Sequence, residues 1–432
     1  MRTLAVVLAL LCGVASAECR TDRRDRRVNR LRGDCGASGG TSAPAFEFAP
    51  TSGAGMGTAC ACTTPTGSLG ETLTFTRAST AYCTKGNVSS LIENGDLVLC
   101  AVDQPRVMPG GDGGSVLGLD RWQAQTNDLL RSQEFDNAAW AKFASGGSSP
   151  PSVTADQAIA PDGTMTADEV IFRATAAGSD RSALYEIPGV TQASASLCVY
   201  VKSKTTGGTF DLSMAGAVAS AGTCTHNPTT WTRCRLENKS ITAGANSPFI
   251  GNNTADNGGI ARVQQTVYLW QADETAGGAC GPPILTTGTA ATRATETATF
   301  AAVAGIGSTG SAAATIVAGF SADAGDTNGF LYGGANGRYL YQAAQSVRVF
   351  DGTNEVSAAP SPFAPGEIRR FWSSWTGSTL TVTNATDSIT SSGSFDGTME
   401  ASTLVLGSVG ASNTLNGTIK QVCVDPSPTV CR

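Results

Sequence analysis

SLCVYVK, residues 196–202, and TVYLW, residues 266–270, decide the fold. In the first, Leu197, Val199 and Val201 fall on one side and Cys198 and Tyr200 on the other; in the second, Val267 and Leu269 oppose Tyr268 and Trp270. A period of two is the alternation of a β-strand packed on one face. The same alternation returns in ATIVAGF (314–320), RYLYQ (338–342), SVRVFDG (346–352), RRFWSSW (369–375), TLTVTN (379–384) and STLVLG (402–407), with Gly, Asn and Pro between them. Many short strands at this spacing predict antiparallel sandwiches or jelly rolls. Short helical patches are expected only near Gln125 to Ser132 and Asn137 to Ala144. The Thr-rich stretch from Leu285 to Phe300 separates two stranded blocks and marks the domain boundary.

With 432 residues, the chain suggests two or three domains. Its 51 glycines and low charge suit turn-rich β structure. A net charge of −6 supplies no basic surface for nucleic acid. At the N-terminus, Arg2, the apolar run Leu4 to Val14 and Ala15-Ser16-Ala17 have the order of a secretory signal cleaved before Glu18. The run is too short to span a bilayer, so membrane contact is expected only through this cleaved segment. Residues 18–70 read as a linker, basic over TDRRDRRVNRLRGD (21–34) and rich in Gly, Ser and Thr thereafter.

Export changes the meaning of the cysteines. Of 13, Cys12 leaves with the signal, and an even number remains outside the reducing cytosol. Cys224 and Cys234 flank the turn His226-Asn227-Pro228-Thr229 and are expected to face each other on a hairpin. Cys83 with Cys100 and Cys423 with Cys431 are the next local pairs. Spacing alone does not fix connectivity.

LTFTRASTAY (73–82), Pro105-Arg106, Gly118-Leu119, Thr126-Asn127, EFDNAAW (134–140), APDGTMTAD (160–168), VYLWQADETAGG (267–278) and TTGTAATRA (286–294) follow one another in an order that resembles a recurrent module of bacteriophage tail and head fibre proteins. The resemblance implies a strand-rich lead-in over residues 71–127 and a carbohydrate-binding-module-like jelly roll over 128–290. The block from Gly310 to Val424 is similar to concanavalin A-like or laminin G-like sandwiches, through PGEIRRFWSSWTGSTLTVTN (365–384) and NGTIKQVCV (416–424), which gives a second sandwich over 295–432. Fibre proteins of this kind lack a signal peptide and carry few cysteines. The chain is therefore expected to be a secreted or surface relative of the module, the alternative being a virion protein, in which case a homotrimer.

Chemistry favours binding over catalysis. Glycan hydrolases need two carboxylates about the scissile bond, but Asp351 and Glu355 bracket a turn and Asp168 and Glu169 point to opposite sides of a strand. His226, the single histidine, is expected to be a solvated turn residue, which leaves no base for a nucleophilic triad. Sugars dock their ring faces on exposed aromatics. Trp140, Trp231 and Trp270 are expected in the interior. Alternation leaves Tyr339, Tyr341, Arg348 and Phe350 on the face opposite Leu340, Val347 and Val349, a candidate platform unless a second sheet or the preceding domain covers it. Phe371 and Trp375 share one face of their strand and Trp372 the other, so one side shows part of a tryptophan unless both are covered, and Trp375 is the candidate contact. The jelly-roll resemblance makes Asp156, Asp162, Asp273 and Glu274 the candidate ligands of a structural calcium ion, the alternative being ordinary turn acids. The expected function is non-catalytic binding of a cell-surface glycan or polysaccharide; a structural fibre and a polysaccharide-acting enzyme are the alternatives.

Overall fold

The structure, a computed structural model, describes residues 46–48, 73–84, 96–102, 107–109, 117–121, 124–176, 178–188, 194–215, 221–241, 247–276, 280–301, 308–318, 329–334, 338–343, 346–358, 367–397, 399, 403–406 and 417–425. They form strands joined by turns, with no helix among the described residues. The early strands are β1 (Phe46–Phe48), β2 (Leu73–Thr76), β3 (Ala81–Thr84), β4 (Leu97–Cys100), β5 (Val107–Pro109), β6 (Leu117–Arg121) and β7 (Gln125–Asn127). Then come β8 (Ala141–Ser145), β9 (Ser152–Ala158), β10 (Ala167–Phe172), β11 (Arg181–Tyr185), β12 (Ser194–Ser203), β13 (Gly208–Ala215), β14 (Ala221–His226), β15 (Thr232–Ser240), β16 (Ser247–Asn253) and β17 (Gln265–Ala276). The remainder are β18 (Ala291–Arg293), β19 (Thr297–Ala301), β20 (Gly310–Ala318), β21 (Gly329–Gly334), β22 (Tyr339–Ala343), β23 (Ser346–Phe350), β24 (Glu355–Ala358), β25 (Ile368–Thr376), β26 (Thr379–Asn384), β27 (Ile389–Ser394), β28 (Thr403–Leu406) and β29 (Gly417–Asp425).

Both expected helical patches are corrected. Gln125 to Asn127 is β7, and Asn137 leads through a turn into β8. Asn137 Oδ1 accepts the Ala139 N–H at 3.0 Å, the local side-chain bond that competes with helix. The turn delivers Trp140 into the interior, where it packs on Phe135 and donates its indole N–H to Arg131 O.

Two sheets with orders β15-β12-β17-β10-β9 and β14-β13-β16-β11-β8 enclose the first core. Strands β10 to β17 cross from one sheet to the other at every step except β13 to β14, a hairpin within one sheet, in the crossing pattern of a jelly roll. The alternation read in residues 196–202 puts Leu197, Val199 and Val201 against Leu184, Leu212 and Ile250 of the other sheet. Within β17 the register slips between Val199↔Ala272 and Tyr200↔Trp270, leaving Gln271 as an extra residue at φ 48°. Its amide is held by Asp273 Oδ1 and Ile284 O.

Cys224 and Cys234 are joined. They do not face each other on one hairpin, however: β14 pairs with β13 and β15 with β12, so the bridge ties the two sheets together. Cys198 joins Cys280, a link across 82 residues that spacing did not suggest. Cys100 and Cys423 each take part in a further disulfide. The Cys83 side chain and Cys431 lie outside the described residues.

The second sandwich stacks a sheet of order β27-β26-β25-β20-β29-β6-β5, with β1 also on β29, and one of order β2-β19-β28-β21-β22-β23-β24. This corrects the lead-in of residues 71–127 and part of the linker of 18–70. Phe46 pairs with Val424, Leu119 with Ile419, and Phe75 with Ala298, so β1, β2, β5 and β6 complete this sandwich, and the jelly roll is inserted within it. Phe75 is buried in the same core as Phe371, Trp375 and Val422. Phe75 of the FTRAST segment therefore belongs to the second core.

Candidate carbohydrate-contacting face

Strands β8, β11 and β16 lie side by side, with Ala141, Tyr185 and Phe249 opposite one another and Leu184 and Ile250 turned into the core. The outward positions carry aromatics. Tyr185 and Phe249 stack with centroids 5.1 Å apart, and Phe143 meets both edge-on at 5.7 and 5.8 Å. All three are half-buried and packed on one another. The sequence pattern did not single them out, because one aromatic on each of three separate strands leaves no local signature.

Residues 254–262 fold over the adjoining part of this face and form a polar wall. Arg262 grips Asp211 with Nη2–Oδ1 at 2.6 Å, and Asn257 donates to Asp211 Oδ2 at 2.9 Å. Arg181 reaches Asp256 at 2.7 Å and Asn253 Oδ1 at 3.1 Å; Asp256 also accepts from Asn253 and Ser213. Burial alone would raise the Asp256 carboxyl, but Arg181, Asn253 and Ser213 outweigh it and hold it below the usual range. The result is aromatic ring faces beside fixed donors and acceptors. That combination suits a ligand with an apolar face and a hydroxylated rim.

The platform expected on the second sandwich divides. The β22–β23 ladder sets Tyr339 opposite Phe350 and Tyr341 opposite Arg348, so the four share one face while Leu340, Val347 and Val349 are buried on the other. Arg348 is half-buried and bonds Glu355 at 2.7 Å and Ser346 Oγ at 2.8 Å. The side chains of Tyr339 and Tyr341 lie outside what the structure describes. Trp375 is corrected outright. It is 0% exposed, packed in the core beside Phe371, because it shares that inward face of β25; Trp372 takes the outward one, half-buried.

The four residues expected to hold calcium do not assemble. Asp162 closes a turn on Thr164, Asp156 sits at φ 56° with its N–H on Asp168, and Asp273 is held by Arg233, Asn127 and the Ile284 N–H. Glu274 follows Asp273 on the strand and turns the other way. No group of three such ligands converges among the described residues. Both Glu274 carboxyl oxygens are buried without a hydrogen-bond partner. Burial foremost, then the charges of Asp128 and Glu186, pushes this carboxyl up to about 8.

His226 is corrected as well. Rather than solvated, it is buried, with Ser203 on Nδ1 and Gln265 Oε1 on Nε2 at 2.7 Å. Nε2 therefore carries the proton and Nδ1 accepts from the Ser203 hydroxyl. Burial lowers its pKa, against the opposing bond from Gln265. A serine and histidine thus meet, but inside the jelly roll, where they tie β12, β14 and β17 together. Trp140, Trp231 and Trp270 are all buried, but only Trp140 lies in the core between the sheets; Trp231 and Trp270 belong to a separate cluster.

The fold and this face define a two-sandwich β protein with an aromatic surface on its inserted jelly roll. No family model matches the chain. No curated protein matches it. Among solved structures it is similar to the N-terminal CBM22-1–CBM22-2 tandem domain of Paenibacillus barcinonensis Xyn10C, at 13% identity and TM-score 0.24, over 69% of this chain and 97% of that one. It is also similar to domains LG4-5 of the mouse laminin α1 chain, at 11% identity and TM-score 0.21, over 54% of this chain and 82% of that one. Likenesses this slight say nothing of what this chain binds.

Proposed function

We propose that the protein is a secreted or cell-surface glycan-binding protein that acts without catalysis, and that Phe143, Tyr185 and Phe249 form its principal contact with sugar rings. The observation that carries this reading is the half-buried aromatic cluster beside the Arg181–Asp256 wall. Rings fixed by each other need little further ordering when a ligand arrives. The face of Tyr339, Tyr341, Arg348 and Phe350 is a second contact region of the same kind. Disulfides joining β12 to the segment after β17, and one sheet to the other, suit an oxidising compartment outside the cell.

A glycan array probed with the chain from residue 18 onward tests the reading. Retention on neutral glycans that Tyr185→Ala and Phe249→Ala abolish would support it. Absence of retention across the array, together with elongated trimers in solution, would replace it with the structural-fibre alternative.

A further inference from the structure

The jelly roll has a second aromatic cluster on the outer side of its other sheet, and the chain covers that cluster itself. Tyr200 lies directly opposite Arg233 on one side and Trp270 on the other. The Arg233 guanidinium sits 5.3 Å from the Tyr200 ring centroid and pairs with Asp273 at 3.1 Å. Trp270 approaches Tyr200 at 5.5 Å, and Trp231 completes the group. These residues form a cluster separate from the inter-sheet core. Tyr82 and Leu97 of the β3–β4 hairpin rest on them together with Ala160 and Ala167, Tyr82 edge-on to Trp270 at 5.5 Å with its hydroxyl 3.5 Å from Asp162.

The hairpin has the features of a strap. Among the described residues β3 and β4 pair only with each other, and an isolated two-stranded hairpin is marginally stable. Its base is clamped. Arg77, just before β3, donates to Ala101 O, just after β4, at 2.7 Å, and meets Glu296 at 3.2 Å, both side chains fully buried. Its latch includes Tyr82, whose hydroxyl also meets Gln133, together with Leu97 and the Leu97 N–H on Pro161 O at 2.8 Å. A firm base with a small latch allows local opening without loss of either sandwich.

We infer that the β3–β4 hairpin is a displaceable strap over a second carbohydrate-contacting face made of Tyr200, Trp231, Trp270 and the Arg233–Asp273 pair. The inference rests on the carbohydrate reading above. Arg233 and Asp273 answer each other's charge, so the face suits a neutral sugar. Tyr82, a ring bearing one hydroxyl, occupies the place that such a sugar would take.

Two measurements on the full chain test this. Amide exchange of Leu97 is expected to be at least about tenfold faster than that of Val199 and Leu269, as local opening predicts; equal protection overturns the strap. Tyr82→Ser, made with Tyr185→Ala and Phe249→Ala to silence the first face, is expected to gain about tenfold in retention in gels holding soluble neutral xyloglucan, mannan or mixed-linkage glucan. Trp270→Ala should remove that gain. A folded Tyr82→Ser variant with no gain overturns the second face, and so does a variant that fails to melt cooperatively, since the hairpin would then be core. Retention of the parent chain with none added by Tyr82→Ser sinks this inference alone. A fast-exchanging Leu97 in a chain that retains no glycan in any form sinks the carbohydrate reading and leaves the strap.

Discussion

Tyr185 and Phe249 face each other across the β11–β16 ladder, stacked at 25°, with the Arg181–Asp256 ion pair on the same side of the sheet. Their packing on one another fixes both rings before any ligand arrives. Tyr185→Ala or Phe249→Ala is expected to weaken glycan retention by about tenfold or more, the loss of roughly 1.4 kcal/mol of contact. Because both are half-buried, cooperative melting should persist. Affinity electrophoresis beside a thermal melt separates the two effects.

Glu274 gives the fold a dependence on base. Its carboxyl is raised to about 8 in the folded chain from an ordinary value of 4.5, so the native state holds a proton that the unfolded chain releases. This contribution is complete below about 4.5 and is lost as pH rises through about 8. Glu274→Gln, which cannot ionise, should flatten the fall in melting temperature over that window. An unchanged profile would remove Glu274 as its source.

His226 acts at the other end of the scale. Burial lowers its folded pKa below 6.5, so the unfolded chain takes up protons first as the solution is acidified. Stability from this site is present above 6.5 and is lost as pH falls through the folded value. The protonated ring would also lose its acceptor for the Ser203 hydroxyl. The ring-nitrogen shifts of His226 in a pH series should report a neutral Nε2–H tautomer throughout the neutral range.

The two disulfides of the jelly roll should differ in weight. On the chain-entropy account, opening Cys198–Cys280, 82 residues apart, costs about 4.5 kcal/mol, and opening Cys224–Cys234, 10 apart, about 2.7 kcal/mol. Paired serine variants compared by denaturant midpoint measure the difference. Equal losses would mean that native packing, rather than loop length, sets their contribution.

Strand alternation alone carried much of this architecture. Leu197, Val199 and Val201 face inward as their spacing demands, and Phe371 shares a face with Trp375 as the sequence pattern requires. What alternation does not say is which face a second sheet will cover. Trp375 was therefore misplaced on the surface. Partnership between distant strands was equally illegible: nothing in Phe46 or Leu119 points to Val424 or Ile419, because register is a property of the folded pair. His226 looked solvated from its neighbours Asn227 and Pro228, yet Ser203 and Gln265, remote in sequence, supply the partners that make burial tolerable. The face of Phe143, Tyr185 and Phe249 escaped notice for the same reason.

The insertion of the jelly roll within the second sandwich sets an order on biosynthesis. Strand β1 emerges from the ribosome with its partner β29 still some 370 residues away, and β6 waits about 300 residues for the same strand. The inserted unit can close as soon as its own twelve strands, β7 to β18, exist. The outer unit cannot: β1 and β2 wait unpaired and β6 is paired on one side only, with β5, so the slow step of maturation, and the one most open to misassembly, belongs to the sandwich that encloses rather than the one enclosed.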